Sequence, residues 1–577
     1  MFVKSIYIKG FRGIKSLLVE FNSDVTVLIG ENNVGKSTIL DALEYCLSSV
    51  RSNRGTAFEV TDFYHSGREE DVLPIELTLQ ISLSETEPAD NVFFERFVDV
   101  VVGDVTSEIR LRVRAELVQD EVRQSVHFLD SSDQEIPSGN VRKLRDLQES
   151  IPICYLRALR DAESSFQGKS SFWSSLLDAQ NFNEDVRQGL SEKLENVYSE
   201  IISSASGFEE ILRELAKMPD MVSTGVSNDA SVRPVVQDLV RVLRYGSEIN
   251  IASDNGAYIP LRSYGDGTKN LAVLMLFVAY LKDCVINGVA HCAPLIVVEE
   301  PEAHLHPMGV RSTWQLIASM PGQKIVASHS GDLMAQVPLR ALRRISKCRD
   351  VHLCRSISDQ LCNNKALLQT YAYFISSFRG SLLFSRTWFF VEGQTDIIAI
   401  NACAEVLGID LIKHGISLVP FAGTKIEDMI SIANELGVNW AVMADGDDAG
   451  NKDMRICRQY VMRLQQHVHY FFSTLGYRTI EVSMCMAGYG ELYVQSLTGD
   501  QKSKPLIVAP KTKWNVDFWN AVYDAFVDKR KISTMLKVVE RMKQIGVSGV
   551  PEDVKTIIEI VQNIDGDEED EDGQVII

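Results

Sequence analysis

The chain has 577 residues, 45% of them hydrophobic and 24% charged, with a net charge of −20 at pH 7. That composition excludes collagen-like, coiled-coil and disordered chains, and the length predicts three or four domains of about 100–200 residues each. The charge excludes a histone-like basic binder, yet seven of the acids lie in the tail Asp565–Asp572 and the rest is near −13. A local basic surface, or metal ions held by carboxylates, still serves a nucleic-acid partner.

The first 50 residues read strand, strand, strand, loop, helix. Lys4, Lys9, Arg12 and Lys15 interrupt any apolar leader, so no secretory signal is expected. Val25–Ile29 is a short apolar strand, Gly30–Ser37 breaks it, and a helix follows from about Lys36 to Leu47. Alternation at Ile75, Leu77, Leu79 and Ile81, and again at Ile109, Leu111 and Val113, predicts β-structure over 72–130. From about Phe172 to Leu243 the period turns helical, as in Leu190, Leu194, Val197 and Ile201, and predicts an inserted helical module. Leu271–Leu281 is an apolar run of 11 residues. A membrane span needs about 20, so this is a buried core helix. Trp388–Val391 and Trp440–Ala444 are apolar strands that each run into an acid, and the tail beyond about Gly566 is solvated. Ten cysteines with no CxxC pair fit reduced thiols and a cytoplasmic location.

Gly30-Glu31-Asn32-Asn33-Val34-Gly35-Lys36-Ser37 fits GxxxxGK[ST] between a strand and a helix. Loop N–H groups, those of Asn32, Asn33, Gly35 and Thr38 among them, then face phosphate oxygens; Lys36 reaches the β/γ-phosphates and Ser37 is positioned for Mg²⁺. The strand Leu295–Val298 ends in Glu299 and Glu300, the first placed for the Mg²⁺ shell and the second to orient or deprotonate water. Ser263, Gly265 and Gly267 precede the apolar helix and form a second phosphate cradle, and His329 ends a strand within reach of a γ-phosphate. His304 and His306, like His467 and His469, have no third ligand at metal-site spacing; the first pair reads as a loop between ATPase subunits.

This ordered set resembles the ABC-type ATPases of the RecF/SMC/OLD group. Phe11-Arg12 is similar to the group's early "FR", whose arginine approaches the phosphates. The resemblance implies a dimer in which the signature Ser263/Gly265/Gly267 of one copy closes over the nucleotide of another. Glu299 departs from the usual Asp, and its longer reach bears on the hydrolysis rate.

A second acidic centre follows. Glu392 and Asp396 stand at the end of one apolar strand, and Asp445 and Asp447 repeat the arrangement about 50 residues on. Converging carboxylates repel unless a divalent cation neutralises them, and hard oxygen donors favour Mg²⁺ or Mn²⁺. Two such ions stabilise both oxygens of a phosphodiester substitution. E-G-x-x-D followed by D-x-D resembles the Toprim domain, and an ABC ATPase with a helical insertion followed by Toprim resembles the OLD (overcoming lysogenization defect) family. Its members include Gabija-type nucleases and retron-associated effectors. By that resemblance Glu491 is a further metal ligand, and Lys531, or alternatively Lys529, stabilises the transition state.

The expected fold is multidomain α/β: ABC ATPase over 1–164 and 253–380, a helical insertion at 165–252 similar to the OLD dimerisation arm, Toprim at 381–548, and a helix with the acidic tail at 549–577. The expected function is a metal-dependent DNA endonuclease governed by ATP, with Glu392, Asp396, Asp445, Asp447 and Glu491 holding two ions. The resemblance further implies antiphage defence, a homodimer or higher oligomer, DNA as partner, no membrane, and either a UvrD-like helicase or a retron reverse transcriptase with msDNA. A RecF-like scaffold that closes on DNA without cutting it is the alternative, and the D-x-D motif argues against it. Topoisomerase and primase readings lack the nucleophilic-tyrosine domain and the zinc pattern they need.

Overall fold

The computed structural model describes residues 1–48, 58–65, 72–82, 96–97, 99–102, 108–119, 121–136, 141–156, 189, 192–193, 196–197, 200, 250–252, 258–286, 294–348, 350–378, 380–462, 468–497, 499–502, 515–526 and 530–564. Most of the expected helical insertion, Lys529, His467 and the acidic tail lie outside these residues. The chain divides into two units: Met1–Arg157 with Ala290–Glu302 and Gly322–Ile577, and Ala158–Val289 with Ala303–Pro321.

Three sheets organise the first unit. Strands β1 (Phe2–Phe11), β2 (Ile14–Glu20), β4 (Ile75–Ser82), β5 (Glu108–Val118) and β6 (Glu121–Leu129) form an antiparallel sheet, ordered β2-β1-β4-β5-β6, with Val101–Val102 also pairing β5. Every second residue of β4 is buried, including Ile75, Leu77, Leu79 and Ile81, as a sheet with one face on the core requires. The second sheet takes β3 (Val25–Ile29), β7 (Ile153–Leu156), β8 (Leu295–Glu299), β9 (Gln323–Ala327), β10 (Leu342–Cys348) and β11 (Val351–Arg355) in the order β7-β8-β9-β3-β10-β11. All its pairs are parallel except β10–β11. Helix α1 (Lys36–Ser48) leaves β3 through the glycine-rich loop and buries Ile39, Leu40 and Leu43 in the shared core.

The third sheet is parallel: β12 (Thr387–Val391), β13 (Ile416–Pro420), β14 (Asn439–Ala444) and β15 (Tyr470–Thr474), in the order β13-β12-β14-β15. Both central strands are buried along their whole length, as strands covered on two faces must be. Trp388 and Trp440 lie within them, and each indole N–H has a partner: the Leu382 carbonyl at 2.9 Å and Asn434 Oδ1 at 2.8 Å. Burying each such ring contributes roughly 2–3 kcal/mol. Helix α4 (Gln394–Leu407) follows β12, α5 (Ile426–Leu436) follows β13, and α6 (Asp448–Val461) follows β14. The chain leaves β12 toward one edge and β14 toward the other, so their C-terminal ends make a topological switch point, the position where α/β sheets bind ligands.

The second unit contains α2 (Asp266–Ile286) and α3 (Pro307–Ala318), which pack on each other. Helix α2 is longer than its apolar run because Asp266, an acid in the first turn, starts it ahead of the hydrophobic stretch. No helix among the described residues is long and apolar enough to cross a membrane.

Candidate active sites

The loop Gly30–Ser37 takes backbone conformations that its residue types allow. Gly30 has φ +148° and Gly35 φ +93°, and a Cβ on Gly30 would lie 2.2 Å from the Ile345 carbonyl oxygen. Asn33, at φ +64°, is a residue type that tolerates the left-handed region. Asn32, Asn33 and Ser37 are exposed, Thr38 is half-buried, and Lys36 is buried. The Lys36 ammonium donates to the carbonyls of Gly30 at 2.8 Å and Glu31 at 2.6 Å. Burial pushes its pKa down to about 8, against the pull of Glu300, Glu31 and Glu302.

Parallel register carries the partner acids to the same edge. Ser37 Oγ donates to Glu299 Oε1, joining the loop to the end of β8. Glu300 has φ +47°, strained for a glutamate, and its N–H donates to the Ala327 carbonyl at 2.9 Å. His329 follows β9; burial and the charge of Lys36 lower its pKa, and its ring stacks on Phe384. Arg12 is held by carboxylates: Nε donates to Asp62 at 2.8 Å and Nη1 to Asp41 at 2.5 Å. The phosphate approach implied by resemblance would use a guanidinium already seated in this double ion pair.

Glu302 stands at the same edge and was not singled out from the sequence. Its Oε1 accepts from Ser328 Oγ at 2.8 Å and the His329 N–H at 2.7 Å, and burial raises its pKa. The signal was the acid two residues past Glu300. In the second unit, Ser263 closes a short turn, and the Thr268 and Lys269 N–H groups donate to the Gly265 carbonyl. A Cβ on Gly267 would lie 2.6 Å from the His304 carbonyl oxygen, and His304 has φ +63°. That close approach gives the H-x-H segment a packing role.

At the switch point of the third sheet, Val391 and Met443 are register partners, so Glu392 and Asp445 leave neighbouring strand ends one residue apart in register. The Asp445 N–H donates to Glu392 Oε1 at 3.0 Å. Asp396, in the first turn of α4, accepts from the Gly393 N–H at 2.8 Å and is buried. Burial, then the charges of Glu481 and Glu392, push its pKa up to about 7. Asp445 is pushed up by burial and then by Glu392, Asp396 and Glu481. Asp447 caps α6, its Oδ1 accepting from the Ala449 and Gly450 N–H groups at 2.9 Å.

Glu491 is the further metal ligand expected by resemblance. It is exposed on α8 (Gly490–Ser496), whereas Asp396 is buried and Asp445 half-buried. The acid that reaches them is Glu481, buried in the first turn of α7 (Ile480–Met484) behind its N-cap Thr479. Burial raises its pKa and Lys531 opposes that shift. Lys531 opens α10 (Lys531–Ile545) and donates to Tyr523 Oη at 3.0 Å. Among the described residues, no three His, Cys, Asp or Glu side chains already form a cage for one ion. The donor set nevertheless fits a hard divalent cation: the candidate donors are all carboxylate oxygens, and burial first, then mutual repulsion, holds Asp396 and Asp445 above the ordinary range.

The family described as "Protein of unknown function (DUF2813)" matches residues 1–375, well over half of the chain. The chain belongs to the DUF2813 family. A second match, to the "Overcoming lysogenization defect protein-like, TOPRIM domain", spans residues 383–447 and takes in Glu392, Asp396, Asp445 and Asp447. This DUF2813 chain is therefore an α/β protein with a P-loop ATPase core followed by an OLD-like Toprim domain. It is 26% identical over 524 residues to the uncharacterized protein YbjD of Escherichia coli (strain K12), covering 85% of this chain and 88% of that one. Endonuclease GajA of Bacillus cereus (strain VD045) is 20% identical over 458 residues, 77% of this chain and 74% of that one. Old nuclease of Escherichia phage P2 is 24% identical over 471 residues, 78% of this chain and 77% of that one.

Proposed function

We propose that this DUF2813 chain is a divalent-metal-dependent DNA endonuclease controlled by nucleotide at its ABC-type ATPase core. The observation that carries this reading is the acid set Glu392, Asp396, Asp445 and Glu481 at the Toprim switch point, with Lys531 beside it. Likeness to proteins named Endonuclease GajA and Old nuclease over more than three quarters of the chain supports it.

Glu392, Asp396, Asp445, Asp447 and Glu481 would hold Mg²⁺ or Mn²⁺, two ions by family resemblance. When bound there, such ions polarise the phosphate and lower the pKa of water. Glu392 and Asp445 stand at adjoining strand ends, tied by the Asp445 N–H to Glu392 Oε1 bond, and Asp447 fixes the start of α6 beside them. Lys531 meets the charge that grows on the phosphate oxygens. In the ATPase core, Lys36, now on the Gly30 and Glu31 carbonyls, would bind the phosphates of ATP, and Ser37 with Glu299 would hold the nucleotide's Mg²⁺. Glu300 orients water, Glu302 positions His329 through its backbone, and Ser263, Gly265 and Gly267 serve the nucleotide of a second copy in a homodimer. Cleavage of invading phage DNA is the role that this chemistry and the family resemblance support.

The test is cleavage of supercoiled and linear duplex DNA with Mg²⁺ or Mn²⁺, with and without ATP. Wild type cuts only with metal, and Asp445→Ala abolishes cutting. Glu481→Gln lowers the rate at least about tenfold, whereas Glu491→Gln stays within about twofold. Metal-dependent cutting that persists in Asp445→Ala overturns the proposal.

A further inference from the structure

We infer that Tyr523 is a positioning residue for the phosphodiester reaction, holding Lys531 against the acidic crevice; this rests on the endonuclease reading above. A lysine has four rotatable bonds and a strongly hydrated head, so one that must meet a transition-state charge needs a seat. Its own helix does not provide it. Lys531 is the first residue of α10, where the macrodipole disfavours a cation.

Tyr523 supplies that seat in two ways. Its hydroxyl oxygen accepts from the Lys531 ammonium at 3.0 Å, and its ring centroid lies 4.5 Å from the same nitrogen. The charges of Glu481, Lys531 and Asp445 all reach the phenol, so Tyr523 lies within range of the acids as well as of the lysine. The seat is itself fixed. Tyr523 lies on α9 (Val516–Asp524), whose Phe518, Trp519 and Val522 are buried. Trp519 occupies the space over Gly490, where a Cβ would lie 2.0 Å from the ring. Glu481, Tyr493, Trp519, Tyr523, Phe526 and Lys531 line a cavity of about 10 Å³, room for one water molecule. Lys531 therefore has little freedom to turn inward, and Tyr523 governs where its charge points.

The full-length chain tests this with Tyr523→Phe, which keeps the ring and removes the hydroxyl, alone and combined with Lys531→Ala. A hydrogen bond to a charged group predicts a fall in kcat of about tenfold with KM unchanged. The fall disappears in the Lys531→Ala background, because the two residues act as one unit. Acetic anhydride labelling of Lys531, read by peptide mass, rises at least about threefold in Tyr523→Phe at an unchanged melting temperature. A wild-type kcat in Tyr523→Phe, or an equal loss in both backgrounds, overturns the inference. If wild type cuts no DNA, the endonuclease reading fails by itself. The labelling then decides: faster acetylation upholds the seat, and an unchanged rate overturns it.

Discussion

Lys36 shows how one residue records the competition between burial and charge. Its ammonium is enclosed by the loop it serves, donating to the Gly30 and Glu31 carbonyls, and burial brings its pKa from 10.5 to about 8. The folded pKa lies below the unfolded one, so the neutral form contributes stability above about pH 10.5, and that stability is lost as pH falls through about 8. ATP reverses the preference, because phosphate oxygens favour the ammonium. Nucleotide binding at pH 9 therefore takes up close to one proton, and the Kd for ATP rises above about pH 8, approaching tenfold per pH unit. Calorimetry at pH 9 in buffers of different ionisation enthalpy measures the uptake; a binding heat independent of buffer contradicts it. The placing of Lys36 and Ser37 between a strand and a helix was legible in the sequence because strand, glycine turn and helix start lie within a few residues, whereas Glu299 is brought to Ser37 by the register of the sheet. Glu481 was not legible. In Thr479-Ile480-Glu481-Val482 it reads as an ordinary helix start, and only the packing of α7 against α4 and α9 turns the carboxylate inward.

At the scale of elements, the site strands were readable as apolar runs stopped by an acid or a glycine, and β3, β8, β12 and β14 form where those runs stand. Their order in the sheets was not readable, since β3 meets β9 and β10 about 300 residues away through contacts that no local pattern encodes. The consequence at the Toprim edge is a tight turn in which α6 begins directly under the Asp445 carbonyl. A Cβ on Gly450 would lie 1.9 Å from that oxygen, and backbone cannot give way as a side chain can. Gly450→Ala thus forces the start of α6 away from β14 and carries Asp447 with it. We expect a loss of about 2–4 kcal/mol in unfolding free energy, as overpacking against rigid structure produces. Metal-dependent cleavage falls further than in Gly13→Ala, where the added Cβ meets nothing within 4 Å and the backbone is not left-handed. Urea denaturation of both variants, with cleavage rates beside it, measures this; equal effects at the two sites would remove the steric account.

At the scale of the whole chain, two arginines join the ATPase sheet to the Toprim sheet, and they differ in kind. Arg344 on β10 is buried and donates to the carbonyls of Ser385 at 2.9 Å and Gly437 at 2.9 Å. Arg386, one residue before β12, is half exposed and grips Glu31 of the phosphate loop, Nε to Oε1 at 2.5 Å and Nη2 to Oε2 at 2.9 Å. The buried arginine is a structural pin, because truncating it strands carbonyls that have no water to turn to, at about 2–4 kcal/mol. The exposed pair contributes at most about 1 kcal/mol to stability. Its significance lies in what it connects: the residue whose carbonyl binds Lys36, and the strand that ends at Glu392. When Lys36 exchanges the Glu31 carbonyl for phosphate, the loop shifts at the point that Arg386 holds. Arg386→Ala is therefore expected to melt within a few degrees of wild type and to keep its nucleotide-free cleavage rate within about threefold. The ratio of cleavage with ATP to cleavage without it moves toward one. Arg344→Ala instead lowers the melting temperature and weakens both activities together. Cleavage ratios for the two variants beside wild type separate a coupling contact from a structural one, and an unchanged ATP ratio in Arg386→Ala would mean that the nucleotide's influence travels by another route.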